Sequence, residues 1–199
     1  MRVTTAAALG YLTGAFPSAD VASRLATGGS TNLRAAGSGN PGAANAMAVL
    51  GLGWGYGVLA ADISKGALAC RFGRALAGDA GAHIGGVAAV AGHCFPWHAG
   101  FKGGKGVAAS AGQCLATFPA YFPVDVAVAA LTGTRRWKHR AYAATMAASV
   151  SWVAASVLWW RRGWPNLWGP RPTVGLPIAA AATSAMIVYK FARSAKGPS

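Results

Sequence analysis

The chain contains no glutamate, and its only carboxylates are Asp20, Asp62, Asp79 and Asp125 among 199 residues. Long apolar runs make up most of the rest. Charge is costly in hydrocarbon, so a chain that crosses a bilayer repeatedly leaves little room for it. Only 11% of residues are charged and 54% are hydrophobic, whereas a soluble domain carries about a quarter charged residues. In lipid the backbone must satisfy its own hydrogen bonds, which helices do within each segment. The expectation is an all-α, polytopic integral membrane bundle. One domain over residues 1–199 has the length for six or seven spans at about 20 residues each.

Seven apolar segments are expected: Thr4–Leu25 (interrupted by Pro17 and Asp20), Val49–Cys70, Ala80–Pro96, Gly106–Ala120, Phe122–Thr132, Tyr142–Trp160 and Val174–Phe191. Pro119 and Pro123 lie between the fourth and fifth, which together read as a broken hairpin. Glycines fall inside these segments as often as between them, and in a bilayer small residues let helices approach closely. The N-terminal run reads as the first span, since no small-residue cleavage site followed by a soluble domain is seen. Cys70, Cys94 and Cys114, widely spaced and without CxxC, read as small buried hydrophobes.

The net charge of +14 does not point to nucleic acid. The Lys and Arg residues flank apolar runs, where anionic headgroups attract them, and no nucleic-acid-binding motif is present. With the N-terminus outside, the inner loops and tail hold Arg24, Arg34, Lys102, Lys105, Arg135, Arg136, Lys138, Arg140, Lys190, Arg193 and Lys196. The outer side holds Arg2, Arg71, Arg74, Arg161, Arg162 and Arg171. The positive-inside rule favours that orientation in the cell inner (plasma) membrane.

Two loops then share the cytoplasmic side. The first runs from Arg34 through Gly37-Ser38-Gly39-Asn40-Pro41-Gly42 to Asn45. Its glycines suit positive φ and present amide N–H groups to an anion. Ser38, Asn40 and Asn45 add polar side chains, and Arg34 adds a fixed, forked charge suited to phosphate. The second runs from Gly92-His93 to Lys102-Gly103-Gly104-Lys105-Gly106 and opens directly into an apolar segment. A helix N-terminus behind two ammonium groups makes a phosphate cradle, although it is not a P-loop, which needs Ser or Thr after the Lys. Each loop taken singly also reads as a plain turn, and Lys102 and Lys105 as headgroup anchors. Their convergence on one side favours a phosphate site. Asp62 and Lys65, three apart within a span, share a helix face. They are either a functional pair or an internal ion pair that fixes packing, the latter weighing slightly more.

These motifs resemble the bacterial acyl-phosphate:glycerol-3-phosphate acyltransferases of phospholipid synthesis. The resemblance runs through Gly14-Ala15-Phe16-Pro17-Ser18, Arg24-Leu25, Arg34, Gly37 to Asn45, Asp62, Lys65 and Gly66. It is densest at Gly92-His93, Phe95-Pro96 and Phe101 to Val107. It implies seven membrane helices and a cytoplasm-facing site that moves an acyl group from acyl phosphate to the sn-1 hydroxyl of glycerol 3-phosphate, with no metal or organic cofactor. It further implies that Ser38 and its loop line the catalytic centre and that Gly103–Gly106 with Lys105 bind phosphate. The chain departs from the family at Ala48, where the pattern has Arg, and in the run Tyr189 to Gly197, where the pattern has a His, an Asn, an Arg-Leu pair and a Glu.

The expected site is therefore Ser38, His93 and Lys105 as catalytic residues, with Arg34, Gly37, Gly39, Asn40, Asn45, Lys102, Gly103, Gly104 and Gly106 holding substrate, and no metal. Acyl phosphate, glycerol 3-phosphate and membrane lipids are the expected partners. His93 is a candidate base without an acid partner identifiable in the sequence, and the leaving phosphate is the alternative base. Two other readings stand beside this one: a relative that binds acyl or phosphate ligands without turnover or uses another acceptor, and a small transporter, for which no inverted repeat is seen.

Overall fold

The computed structural model describes residues 1–133 and 140–195, and among these are eight α-helices and one 3-10 turn, with no strand. Arg135, Arg136, Lys138 and Lys196, counted above for orientation, lie outside the described residues.

The expected first span, Thr4–Leu25, is two helices, α1 (Arg2–Ala15) and α2 (Ser18–Thr27). Pro17 is the cause. It pushes the preceding Phe16 into an extended conformation, at ψ 126°, and so ends α1. A short helix, α3 (Ala43–Leu50), starts inside the first glycine motif. The second and third expected segments belong to one 43-residue run, α4 (Leu52–Cys94), broken at Ala77 and Gly78. Gly78 has φ 62°, a left-handed conformation natural to glycine. The run therefore folds back there into a hairpin. The 3-10 turn Trp97–Ala99 leads to α5 (Val107–Thr117), α6 (Phe122–Gly133), α7 (Arg140–Arg162) and α8 (Gly175–Ala195).

Counting the two limbs of α4 separately and setting aside α2 and α3, the described helices traverse the bundle seven times. Within α7 and α8, Ala141–Arg162 and Gly175–Ser194 are each long and apolar enough to cross a bilayer alone. The 11 residues of α5 reach only about 17 Å.

What holds the traversals together is contact between main chains. A Cβ on Gly73 or on Gly81 would collide with the other's carbonyl across the α4 hairpin. One on Gly10 or Gly14 would meet the backbone of Gly85 or Ala89, which binds α1 to the second limb. One on Gly66 or Gly112 would meet the backbone of Ala109 or Ile63 and so join the first limb to α5. Many large apolar side chains point the other way: Leu9, Leu12, Leu68, Phe72, Leu131 and Val150 are all exposed. Small residues inside and large ones outside is the pattern of a bundle surrounded by lipid.

Three apolar clusters set the two ends. Ala19, Ala22, Leu33, Ala46 and Val58 pack beneath the first glycine loop. Val90, Cys94, Ala109 and Ile187 pack beneath the second. Phe118, Tyr121, Trp152 and Leu176 close the opposite end.

Candidate active site

The first loop is shaped by Asn45. This buried side chain, near the start of α3, donates through Nδ2 to the carbonyls of Leu33 (2.9 Å) and Ala36 (3.0 Å). Its Oδ1 accepts the Ser38 backbone N–H at 2.8 Å. Gly37 (φ 60°) and Gly39 (φ 69°) let the chain double back around it, and a Cβ on Gly37 would strike Asn45 Oδ1. Ser38 is thereby left exposed at the loop's tip. Arg34 is held by Asp20, its Nη1 lying 3.0 Å from Oδ1.

The second loop is stitched to the end of α4. Gly103 N–H donates to the Cys94 carbonyl (3.2 Å) and Gly104 N–H to that of His93 (3.1 Å). Both glycines press on His93, and a side chain on Gly104 would meet its Nε2. Gly106 turns at φ 86° against Cys94, Val90 and Ile187 to begin α5. The first-turn N–H groups of α5, which lack intrahelical acceptors, adjoin Lys105.

Helix α8 supplies a third wall. Lys190 Nζ donates to the Cys94 carbonyl at 3.0 Å, the same carbonyl that anchors Gly103, and lies 5.2 Å from the Phe95 ring centroid. Arg193 donates to the Tyr189 hydroxyl at 3.1 Å. Lys105 Nζ rests over Phe191, 4.3 Å from its centroid. Burial pushes the Lys105 ammonium below the ordinary lysine value of 10.5.

The three walls enclose a cleft of about 700 Å³. Arg34, Ser38, Gly39, Asn40 and Pro41 form one side. Phe95, Phe101, Lys102 and Gly103 form the second, and Tyr189, Lys190, Arg193 and Ser194 the third. Four cations line the cleft and no carboxylate does. A narrow pocket of about 20 Å³ reaches Arg34, Pro41, Lys65, His93, Gly103 and Gly104.

Of the expected site residues, Arg34, Ser38, Gly39, Asn40, Lys102 and Gly103 meet in the cleft. His93 and Gly104 stand at the narrow pocket. Gly37 and Asn45 fold the first loop, Gly106 packs beneath α5, and Lys105 sits on α8 away from the cleft's lining.

His93, for which the sequence shows no identifiable acid partner, has Asp62 Oδ1 3.8 Å from its Nδ1. That distance exceeds a hydrogen bond, and the carboxylate is already engaged. Lys65 Nζ is 2.7 Å away and the Ser18 hydroxyl donates to it at 2.5 Å. Lys65 also donates to the Phe16 carbonyl at 3.0 Å. Asp62 and Lys65 are buried and tie the break between α1 and α2 to α4, which is the internal packing pair weighed above.

Sequence reasoning missed Lys190 and Arg193 as cleft residues and counted them only toward orientation. Their spacing of three, on one helix face directed to the same end, was the available signal.

The family model described as glycerol-3-phosphate acyltransferase matches residues 4–196 of this chain. A glycerol-3-phosphate acyltransferase of Jannaschia sp. (strain CCS1) is 35% identical over 189 residues, covering 94% of this chain and 83% of that one. The one from Pseudomonas putida is 36% identical over 185 residues, 92% of this chain and 89% of that one. The one from Bacillus subtilis is 45% identical over 120 residues, spanning 60% of this chain and 61% of the relative. Among solved structures, PlsY (YgiH), an integral membrane glycerol 3-phosphate acyltransferase in its glycerol 3-phosphate form, superposes with a TM-score of 0.77 at 26% identity. That match covers 98% of this chain and 91% of the other. The lysophosphatidic acid form of the same protein gives 0.76 at 25% identity.

Proposed function

This chain belongs to the glycerol-3-phosphate acyltransferase family of integral membrane proteins, and on that footing we propose that it transfers a fatty acyl group from an acyl phosphate to the sn-1 hydroxyl of glycerol 3-phosphate, yielding lysophosphatidic acid and inorganic phosphate. The observation that carries the reading is the cleft in which Ser38 meets Arg34, Lys102, Lys190 and Arg193 without a carboxylate. Both substrates bring phosphate, and four lining cations, of which Arg34 is paired with Asp20 just outside the lining, favour anions there.

In the proposed reaction the sn-1 oxygen attacks the acyl carbon. A new ester bond forms, and the bond from that carbon to the phosphate oxygen breaks. The leaving group is good, so positioning and stabilisation of anionic charge supply most of the acceleration. Arg34, Lys102 and the Gly103 and Gly104 region hold phosphate. Ser38 and Asn40 orient the carbonyl or the acceptor, and Lys105 adds charge from the second loop. His93 lines the narrow pocket with its ring against Gly104, and either it or the departing phosphate is the base that takes the hydroxyl proton. Asn45 acts through the loop it folds.

The site end faces the cytoplasm in this reading, with the N-terminus outside, and the protein resides in the inner (plasma) membrane. The test is reconstitution of the purified chain into liposomes with palmitoyl phosphate and radiolabelled glycerol 3-phosphate. Labelled lysophosphatidic acid is the expected product, and it should be lost in Ser38→Ala and Lys105→Ala. No product, beside an active family member run in parallel, refutes turnover. That outcome would favour the second reading, motivated by Ala48, of a relative that binds these ligands or serves another acceptor.

A further inference from the structure

At the end of the bundle remote from the cleft, we propose a second site that binds an anionic glycerophospholipid, its phosphate on Arg71 and Arg74 and an acyl chain in the groove beside them. The groove has a volume of about 630 Å³. Its floor is apolar and small-residued, with Ala67, Ala75, Ala82, Leu115 and Ala116, and Trp168 forms one lip.

Three observations assign the occupant. First, Arg71 is exposed on a helix surface where its neighbours Leu68 and Phe72 also point outward, 43% and 48% exposed. In a membrane protein that surface faces lipid, where a guanidinium requires a counter-anion. Second, none of the described residues supplies one. The nearby carboxylate, Asp79, is engaged by Arg74 Nε at 3.2 Å and by the Arg171 backbone N–H at 3.1 Å. Arg71 makes no hydrogen bond or ion pair with any described residue. Third, Arg74 is fixed in place: besides Asp79 it donates through Nη1 to the Trp168 carbonyl at 2.9 Å. A guanidinium has five donors, so a rigid fork with unused N–H groups stands one helical turn from Arg71, on the same face.

Among the described residues, the cations at this end are all arginines: Arg2, Arg71, Arg74, Arg161, Arg162 and Arg171. The forked, weakly hydrated guanidinium is the group suited to a phosphodiester at a membrane surface. The segment from Trp159 to Arg171 shapes the lip of the groove. Trp159 donates to the Pro165 carbonyl at 3.1 Å and Asn166 to the Thr117 carbonyl at 2.9 Å. These bonds hold Trp168 where a headgroup meets an acyl chain.

The test is native mass spectrometry of the full chain in mild detergent, titrated with dioleoyl phosphatidylglycerol and, separately, dioleoyl phosphatidylcholine. The expected result is a one-lipid adduct that forms with phosphatidylglycerol in clear excess over phosphatidylcholine. Arg71→Gln should weaken it about tenfold, the worth of one charge-assisted hydrogen bond, and Arg71→Lys less. Arg161→Gln, a charge lost at the same end outside the groove, should bind like wild type. Equal adducts with the two lipids overturn the proposal even if Arg71→Gln fails to fold. So does an Arg71→Gln protein that keeps the phosphatidylglycerol adduct. Neither result touches the acyltransferase assay, so the two readings fail separately.

Discussion

Asp62 and Lys65 show how much a single buried charge constrains this molecule. Each is nearly inaccessible, at 1% and 6% exposed, and each is the other's counter-ion. Asp62→Asn leaves the ammonium of Lys65 unpaired in the interior, and breaking such a pair costs about 3–5 kcal/mol. The variant should melt far below wild type in detergent, while Asp62→Leu with Lys65→Met should recover most of the loss. A wild-type melting curve for Asp62→Asn would remove the structural role. Lys105 makes a different prediction. Burial lowers its pKa, and only the protonated form attracts phosphate. Glycerol 3-phosphate affinity should therefore fall as pH rises through that lowered value, earlier than an ordinary lysine would dictate. Lys105→Arg, protonated throughout, should flatten the alkaline limb of the pH profile. If the limb persists in Lys105→Arg, another group produces it.

At the scale of elements, the glycines divide into those that touch a neighbour and those that do not. A Cβ on Gly14 would overlap the Ala89 backbone, while one on Gly53 meets nothing within 4 Å. Gly14→Ala should push α1 off the second limb of α4, costing about 1–3 kcal/mol, and should broaden the size-exclusion profile. Gly53→Ala, in the first turns of α4, should hold or raise the melting temperature by relieving helix entropy. Equal behaviour of the two would mean that main-chain contact does not govern the packing.

The same division explains what could be read beforehand. Apolar runs and Pro17 located most helices, because hydropathy and the restriction a proline places on the residue before it act locally. They did not show that the run through Arg71 and Arg74 continues as helix to a turn at Gly78, since exposed arginines look like a loop in a hydropathy pattern. They also did not show α3, whose eight residues sit inside a glycine motif. In the site, Ser38, Arg34 and Lys102 were legible from local motifs. Lys190 was not, because its bond to Cys94 joins residues 96 apart and leaves no local trace. The approach of Asp62 to His93 is likewise a product of the fold.

For the whole molecule, the two ends differ in chemistry. Among the described residues, apart from the buried Lys65, every lysine (Lys102, Lys105, Lys190) lies at the cleft end. Arg135, Arg136 and Lys138, which widen the orientation count, fall in sequence between α6 and α7. With the cleft end cytoplasmic, a green fluorescent protein fused after α8 should fluoresce, and alkaline phosphatase at the same place should be inactive; the reverse pattern inverts the proposed topology. The packing of α1 against α4 has a further mechanical consequence. Where two backbones touch there is no slack, so those helices act as a fixed frame. The wall made by α8 near the cleft rests instead on side-chain tips, Lys190 against Cys94 and Lys105 against Phe191. These contacts re-form after rotation about single bonds, so in the proposed reaction a long-chain donor would enter and leave by that flank, and a crosslink from α8 to the second loop should abolish turnover.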